Sequence, residues 1–327
     1  MASQITIAGK AVGPLTPLAG LTFPWKKLDL PAAAKVMKAS LEHGANFWNG
    51  GLFYGSPDHN SLHLLKYYFS QYPEDADKVV LSIKGAYDMS TFTPTGSPEA
   101  IRAAVDTALR VLDGCKKIDV FQMGRVDPKV PIEESVGTLA ALVSEGKIGG
   151  VGLSEVSEKT IRRAAKITEI AAVEIELSLF TTDPLTNGIV DACEELDIPI
   201  VAYSPVGRGF LTGQISRRED MDPTDARLRF PRFQPDVFSQ NLKLVDAVKQ
   251  IADRKGLPLA AVAIAWTKYQ GKKILPLPGA SKVEQVVQNC TDVQLSEEDL
   301  AEIRKILDAL PVAGARYGGA LEAQLNG

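Results

Sequence analysis

The chain has 327 residues, of which 45% are hydrophobic and 23% are charged, the proportions of an ordinary globular protein. A formal net charge of -4 gives no basic footprint for nucleic acid, and no apolar stretch is long enough to suggest a membrane span. Three cysteines and three histidines are too few and too scattered for a disulfide framework or a zinc site, so we expect no metal. The amino terminus lacks the layout of a signal peptide, and we therefore expect a cytoplasmic protein.

Apolar runs and helical patterns alternate along the chain after a short hairpin-like stretch at residues 5–12. The apolar runs are predicted strands at residues 18–21, 46–49, 79–84, 118–123, 150–154, 172–177, 198–204 and 274–277. Amphipathic helices are predicted between them at about residues 31–43, 61–69, 97–112, 131–146, 157–166, 187–195, 241–255 and 259–269. A further helix is predicted after the last strand.

Eight strand–helix units of this kind indicate a parallel sheet with right-handed crossovers. We expect an α/β fold in which the units close into a (β/α)8 TIM barrel, with residues 1–327 forming a single domain. A doubly wound sheet with an added helical domain is the alternative. The long Arg- and Pro-rich connection at residues 214–240 is predicted to be a functional lid or a disordered segment. The tail after Pro311 is expected to fold over the barrel rim.

Lys84 lies at the end of one predicted strand and is followed by Gly85. A lysine is almost never fully buried unless it is paired, so Lys84 is either a surface residue or a tuned catalytic residue. Other strands also end in polar residues, namely Asn49 with Tyr54 nearby, Ser154-Glu155 and Tyr203-Ser204. This pattern is typical of a barrel whose chemistry lies at the carboxyl ends of its strands.

Two loops late in the chain have residues suited to anions. The loop after the seventh strand contains Gly207 and Gly209, which let backbone N–H groups approach an anion, although a simple Gly-rich turn is the alternative. After the eighth strand, Ser281 and Lys282 precede a predicted helix, an arrangement that suits phosphate. Because barrels often bind phosphate with the loops after strands seven and eight, the pair predicts a ligand with separated phosphates, such as NADP.

Several motifs resemble those of the aldo-keto reductase family. They are Asp127-Pro128-Lys129 within residues 126–133, Glu145-Gly146-Lys147-Ile148, the segment 202–209 and Pro278-Gly279-Ala280-Ser281-Lys282. The resemblance runs over nearly the whole chain, with the motifs in family order. Within the family the chain is similar to the fungal pyridoxal reductases in Phe47-Trp48-Asn49, Phe53-Tyr54-Gly55, Ser82-Ile83-Lys84-Gly85, Gly152-Leu153-Ser154-Glu155 and Arg316-Tyr317.

The resemblance implies a barrel that uses NADPH to reduce a small-molecule aldehyde or ketone, with pyridoxal to pyridoxine as the leading reaction. A monomer is expected, since this is the family's common form. A reductase of another carbonyl, such as a sugar or a polyketide intermediate, would share every motif. A different class of function is also open: a cofactor-binding redox sensor, similar to the family's potassium-channel β subunits.

The family's active site is a tetrad of Asp, Tyr, Lys and His. The resemblance places the Tyr at Tyr54 and the Lys at Lys84, but Asn49 holds the Asp position and Gly124 the His position. We expect Tyr54 to donate a proton, with a pKa lowered by Lys84. Without the aspartate we expect Lys84 to titrate lower than it would beside a carboxylate. Gly124 is expected to leave room beside Arg125 for a larger or more polar aldehyde.

The resemblance also implies a set of binding residues. Glu155 and Glu174 match the family's Asn and Gln positions at the nicotinamide carboxamide, where two nearby carboxylates should raise at least one pKa. Tyr203 is the expected stacking partner of the nicotinamide ring, and Lys282 is expected to favour the 2′-phosphate. The other expected cofactor contacts are Thr22, Ser154, Ser204, Pro205, Gly207, Gly209, Gly279, Ser281, Gln285, Gln288 and Asn289. The expected substrate pocket comprises Trp25, Gly124 and Arg125.

Overall fold

The computed structural model describes residues 4–13 and 29–327. Its strands are β1 (Thr6–Ile7), β2 (Lys10–Ala11), β3 (Phe47–Gly51), β4 (Gly55–Ser56), β5 (His59–Asn60), β6 (Val80–Gly85), β7 (Tyr87–Asp88), β8 (Thr93–Pro94), β9 (Val120–Met123), β10 (Val151–Ser154), β11 (Ile170–Glu176), β12 (Ile200–Tyr203) and β13 (Ile274–Leu277). Its α-helices are α1 (Leu30–Glu42), α2 (Ser61–Gln71), α3 (Pro98–Leu112), α4 (Ile132–Ser144), α5 (Glu158–Ala164), α6 (Ile189–Glu195), α7 (Pro235–Lys255), α8 (Leu259–Lys268), α9 (Val283–Asn289), α10 (Glu297–Ala309) and α11 (Gly319–Glu322). No helix in the described ranges is long and apolar enough to cross a membrane.

The main sheet has seven parallel strands, whose spatial order follows their order in the chain: β3, β6, β9, β10, β11, β12 and β13. The predicted α/β class and seven of the predicted strands are confirmed. A doubly wound sheet would reverse its strand order at a switch point, and this sheet does not. The predicted strand at residues 18–21 lies outside the described residues.

Several helices begin at capping or proline signals in the sequence. Asp29 caps α1 by accepting a hydrogen bond from the backbone N–H of Ala32 at 3.2 Å, and Ser97 caps α3 in the same way. α7 begins at Pro235, six residues earlier than predicted, because proline fits the first turn of a helix. The sequence analysis missed α10, although Ser296 and Asp299 form its capping box.

The connection at residues 214–240 is structured, so the expectation of a disordered segment is wrong. It contains the short 3₁₀ turns Arg218–Asp220, Ala226–Arg229 and Pro231–Phe233 before α7 begins. Phe233 is buried, and its ring centroid lies 4.5 Å from that of Phe210. Aromatic packing of this kind holds the connection against the loop that follows β12.

The strands present two successive layers of side chains on one face of the sheet. Near the amino ends of the strands, an apolar cluster includes Phe47, Val80, Val120, Ala172, Val201 and Leu275, together with Ile7 and Val12 from the amino-terminal segment. Successive side chains along a strand point to opposite faces, so residues two positions further on return to the same face. Those residues include Asn49, Ser82, Gln122, Glu174 and Tyr203. The sheet therefore positions a polar layer directly above an apolar one.

Candidate active site

Lys84 is buried and paired, with only 3% of its surface exposed. Its ammonium forms an ion pair with the carboxylate of Glu174, which is equally buried. It also donates a hydrogen bond to Asn49 Oδ1 at 3.2 Å. Strands β3, β6 and β11 bring these three side chains together, and the interpretation of Lys84 as a surface residue is wrong.

The carboxylate of Glu174 is the centre of this network. Its Oε2 accepts hydrogen bonds from Asn49 Nδ2 at 2.7 Å and from Gln122 Nε2 at 2.8 Å, while Oε1 faces Lys84. Gln122 also donates to Ser82 Oγ at 3.1 Å. The sequence analysis missed Gln122 and Ser82, although their alternation with Val120 and Val80 placed them on the same face as Lys84.

The Lys84–Glu174 pair overturns the expectation for Lys84. Burial alone lowers the pKa of Lys84, but the negative charge of Glu174 and the neighbouring Tyr54 outweigh burial and raise it above its ordinary value. The missing aspartate at position 49 therefore does not leave the ammonium without a counter-charge. The carboxylate comes from another strand.

Tyr54 is half-buried in the turn that follows β3, and Lys84 Nζ lies 5.6 Å from the centroid of its ring. Burial raises the pKa of Tyr54, while the charge and hydrogen bond of Lys84 lower it. The net direction is upward, so the expectation of a lowered pKa is wrong for this arrangement. At neutral pH the side chain is a protonated phenol with an ammonium beside it, and it can donate a proton.

Gly124 does not leave an empty space where the family has histidine. A Cβ atom at this position would lie 2.9 Å from two ring carbons of Phe53 and 3.4 Å from Cβ of Tyr87. The Phe53 ring therefore occupies the space next to the glycine, which corrects the expectation of room for a larger aldehyde there. Arg125 follows, half-buried, with its guanidinium 5.8 Å from the ring centroid of Tyr317.

A second ionic network lies at the carboxyl ends of β10 and β11. The guanidinium of Arg316 donates to Glu155 Oε1 at 2.7 Å and to Glu176 Oε2 at 3.2 Å. Arg208 donates to the same Glu176 oxygen at 3.2 Å. Burial alone raises the pKa of Glu176, but Arg208, Arg316 and Arg232 outweigh it and hold the pKa below its ordinary value.

These contacts place the two carboxylates that were expected at the nicotinamide in separate ionic networks. Glu174 belongs to the Lys84 network, and Glu155 belongs to the Arg316 network. Each carboxylate is paired with its own cation. The expectation of a raised pKa rested on two carboxylates facing each other, and that is not the arrangement here. Tyr203 joins the second network, because its hydroxyl accepts from Arg316 at 2.9 Å and lies 3.0 Å from the Tyr317 hydroxyl.

Two buried side-chain polar atoms have no hydrogen-bond partner among residues 4–13 and 29–327: Ser154 Oγ and Glu155 Oε2. Buried polar atoms in proteins are nearly always satisfied, so this pair indicates a place for a polar ligand group. A hydroxyl donates to a carbonyl oxygen, and a carboxylate accepts from an amide NH₂. A primary carboxamide has both groups, so the residues present fit a nicotinamide ring.

The two predicted anion loops follow adjacent strands, β12 and β13. In the first loop, Ser204, Gly207 and Gly209 have φ values of 55°, 57° and 99°, in the left-handed region. In the second loop, the backbone N–H of Ser281 donates to Gln285 Oε1 at 2.7 Å, and Asn289 donates to the Gly279 carbonyl at 3.2 Å.

The remaining predicted residues are distributed as follows: Pro205 is buried, Gln288 is half-buried, Lys282 is exposed, and Thr22 and Trp25 lie outside the described residues. Lys282 directly precedes α9, so its side chain lies beside the second anion loop.

The chain is similar to known proteins in both sequence and fold. Residues 18–308 match the aldo/keto reductase family. The chain is 42% identical to "Probable pyridoxal reductase 2" of Schizosaccharomyces pombe, over 98% of this chain and 99% of that protein. It is 39% identical to "Probable aldo-keto reductase 1" of Glycine max, over 88% of this chain and 82% of that protein.

Among solved structures, a glycerol dehydrogenase from Gluconobacter oxydans superimposes with a TM-score of 0.82 and 25% sequence identity, covering 95% of this chain and 97% of that one. The family match spans most of the chain and includes the strands that carry Asn49, Lys84 and Glu174. The chain belongs to the aldo/keto reductase family of oxidoreductases, which use a nicotinamide dinucleotide to act on small carbonyl compounds.

Proposed function

We propose that this protein reduces pyridoxal to pyridoxine with NADPH. The observation that carries the proposal is the contact between Tyr54 and the buried Lys84, whose charge is compensated by Glu174. Ser154, whose hydroxyl is unsatisfied, is paired with Glu174 in the strand register. A phenol supported by an ammonium is the acid that carbonyl reduction needs.

The proton transfer follows from the arrangement of the two side chains. When bound, the cofactor supplies a hydride to the carbonyl carbon. The Tyr54 hydroxyl donates its proton to the carbonyl oxygen as that oxygen becomes negative. Lys84 stabilises the phenolate that remains, because an adjacent positive charge favours the ionised form. Glu174 keeps the ammonium charged for this task.

The cofactor would be held at two places. Ser154 and Glu155 would bind the carboxamide, with Tyr203 beside the ring. The loops at residues 204–209 and 279–282 would bind the phosphates. We propose NADPH over NADH because Lys282 is an exposed cation just ahead of α9, where a 2′-phosphate would find a counter-charge.

Two observations support pyridoxal as the substrate. The S. pombe protein that matches the chain from end to end is named as a pyridoxal reductase. Arg125 is a half-buried cation near Tyr54, and it suits an aldehyde that carries its own acidic hydroxyl group.

We also propose that the seven-stranded sheet belongs to a (β/α)8 barrel, and that residues 1–327 form one domain that acts as a monomer. The reducing cytosol suits Cys115, Cys193 and Cys290, which are free thiols.

The test is a rate assay that follows the ultraviolet absorbance of NADPH with pyridoxal, a sugar aldehyde and a simple aromatic aldehyde. We expect pyridoxal to have the highest kcat/KM and NADPH to be preferred over NADH. Tyr54→Phe should lower kcat by roughly 10²- to 10⁴-fold, with NADPH binding retained. Because burial raises the pKa of Tyr54, the wild-type kcat should stay level up to about pH 9.

Tyr87→Phe is the matched control, since this tyrosine also packs against Phe53 but donates its hydroxyl to Gln324 at 3.0 Å. It should keep wild-type turnover. Tight NADPH binding without turnover of any aldehyde would contradict the proposal and favour the redox-sensing function. Faster reduction of a sugar aldehyde than of pyridoxal would reassign the substrate.

A further inference from the structure

In the buried network around Lys84, positions 49 and 174 each carry the chemical group that the family has at the other position. The family resemblance places an aspartate at position 49 and a glutamine at position 174, and this chain has Asn49 and Glu174 instead. An amide and a carboxylate have thus been exchanged between β3 and β11, and the number of charges is unchanged. We propose that Glu174 is the positioning residue that holds Lys84 charged and in place, and that Asn49 orients Glu174. This inference rests on the proposed reduction for its catalytic consequence.

The hydrogen bonds among Lys84, Asn49 and Glu174 form a closed triangle, and each side chain has the donors or acceptors that its bonds require. Lys84 donates to Glu174 and to Asn49 Oδ1, and Asn49 Nδ2 donates to Glu174 Oε2 at 2.7 Å. An amide can accept from the ammonium and donate to the carboxylate at the same time. An aspartate at position 49 could not donate, and it would face Glu174 as a second negative charge.

The burial of the network makes the two positions interdependent. Lys84 and Glu174 are each only 3% exposed, and Asn49 is 5% exposed. Removing one partner of a buried ion pair leaves an uncompensated charge, which is strongly destabilising. The site therefore requires one carboxylate and one amide, and either assignment of the two groups to these positions satisfies Lys84.

The experiment compares wild type, Glu174→Gln, Asn49→Asp and the double variant Asn49→Asp/Glu174→Gln. Glu174→Gln should lower kcat by roughly 100-fold, because Lys84 loses its counter-charge and its fixed position. In the pH–rate profile, Glu174→Gln should lose activity at a lower pH than the wild type does. Asn49→Asp should also be impaired, since two carboxylates then compete for one ammonium. The double variant should recover to within about tenfold of wild type, a strongly non-additive result.

The matched control is Asn49→Asp/Glu176→Gln. It has the same composition as the double variant, and residue 176 lies on the same strand and face as residue 174, but its carboxylate belongs to the Arg208–Arg316 network. It should show no recovery of kcat or of the pH–rate profile relative to Asn49→Asp. Recovery in this control would mean that total charge, and not the exchange of groups, is what matters, and the proposal would fail.

Two measurements do not depend on turnover. The first is the melting temperature, which should fall in both single variants and rise again in the double variant. The second is the rate at which a small acylating reagent labels Lys84 at each pH, read by mass spectrometry. Glu174→Gln should make Lys84 reactive at lower pH, and the double variant should reverse this change.

The proposal is overturned if the double variant is less stable than both single variants, or if Glu174→Gln keeps the wild-type kcat and labelling profile. A wild-type protein that reduces no aldehyde would instead contradict the proposed function. The melting and labelling results would still decide whether Glu174 holds Lys84, so the two failures are distinguishable.

Discussion

At the scale of single residues, Asn49 and Gly124 both depart from the family's tetrad, but the structure treats the two departures differently. The charge missing at Asn49 is supplied by Glu174. The imidazole missing at Gly124 has no replacement at that position, because the ring of Phe53 fills the adjacent space. A departure from a motif can thus be compensated from a distant strand or absorbed by local packing, and only the contacts distinguish these outcomes.

Restoring the histidine should not restore the family's site. Gly124→His should destabilise the protein by about 1–3 kcal/mol without raising kcat, because its Cβ would overlap the ring of Phe53. Adding Phe53→Ala should recover part of the lost stability, since it removes the overlapping ring. Urea unfolding and steady-state kinetics measure both effects.

The control for this prediction is Gly137→Ala in α4, where a new Cβ meets no atom within 4 Å. Alanine is a better helix former than glycine, so this variant should be more stable by about 0.5–1 kcal/mol. Equal stability of Gly124→His and the wild type would show that the Phe53 ring moves aside at no cost.

At the scale of elements, the carboxylate of Asp75 connects three segments around the first strands of the sheet. It is fully buried and contacts Lys38 of α1 at 2.7 Å, Tyr68 of α2 at 2.7 Å and Lys78 ahead of β6 at 2.8 Å. Burial alone raises the pKa of Asp75, but these three hydrogen bonds outweigh burial and lower the pKa to about 2. The charged carboxylate is therefore part of what holds α1 and α2 in place.

Asp75→Asn should lower the free energy of unfolding by about 2 kcal/mol at neutral pH. A lowered folded-state pKa gives stability that is complete above the unfolded-state value of about 4 and is lost as the pH falls towards 2. The difference between the variant and the wild type should therefore shrink below about pH 4. Urea unfolding at several pH values measures it. The exposed Asp77 provides the control, and Asp77→Asn should change the free energy of unfolding at neutral pH by less than about 0.5 kcal/mol.

At the scale of the whole molecule, the carboxyl-terminal segment is tied to the strand ends that carry the candidate site. The backbone N–H of Gly327 donates to the Glu155 carbonyl at 3.1 Å, and that of Ser157 donates to the Gly327 carbonyl at 2.9 Å. Arg316 is buried between Glu155 and Glu176. Arg316 thus completes an ionic network with the carboxylates of Glu155, directly after β10, and Glu176, at the end of β11.

Arg316→Met should destabilise the protein by about 3–5 kcal/mol, because it leaves Glu155 and Glu176 with less positive charge in a buried setting. Guanidinium chloride unfolding measures the change. Arg304→Met on α10 serves as the control, since Arg304 is exposed and its loss should change stability by less than about 0.5 kcal/mol. A small effect at Arg316 would show that Arg208 and Arg232 compensate both carboxylates.

The sequence by itself determined the α/β class and the order of the seven confirmed strands, while the resemblance to the family's motifs supplied the expected pairing of Tyr54 with Lys84. These features depend on apolar periodicity, capping residues and short motifs, and each of these acts over a few neighbouring positions. Helix boundaries were predicted less well, as at Pro235, because several starts were compatible with the local pattern.

Only the tertiary structure decided which carboxylate compensates Lys84, what fills the space at Gly124, and where Arg316 is bound. Lys84 and Glu174 are 90 residues apart, Asn49 and Glu174 are 125 apart, and Arg316 and Glu155 are 161 apart. No local pattern relates residues so distant in the chain. They meet because parallel strands align their carboxyl ends at one edge, and burial there requires every charge to find a partner.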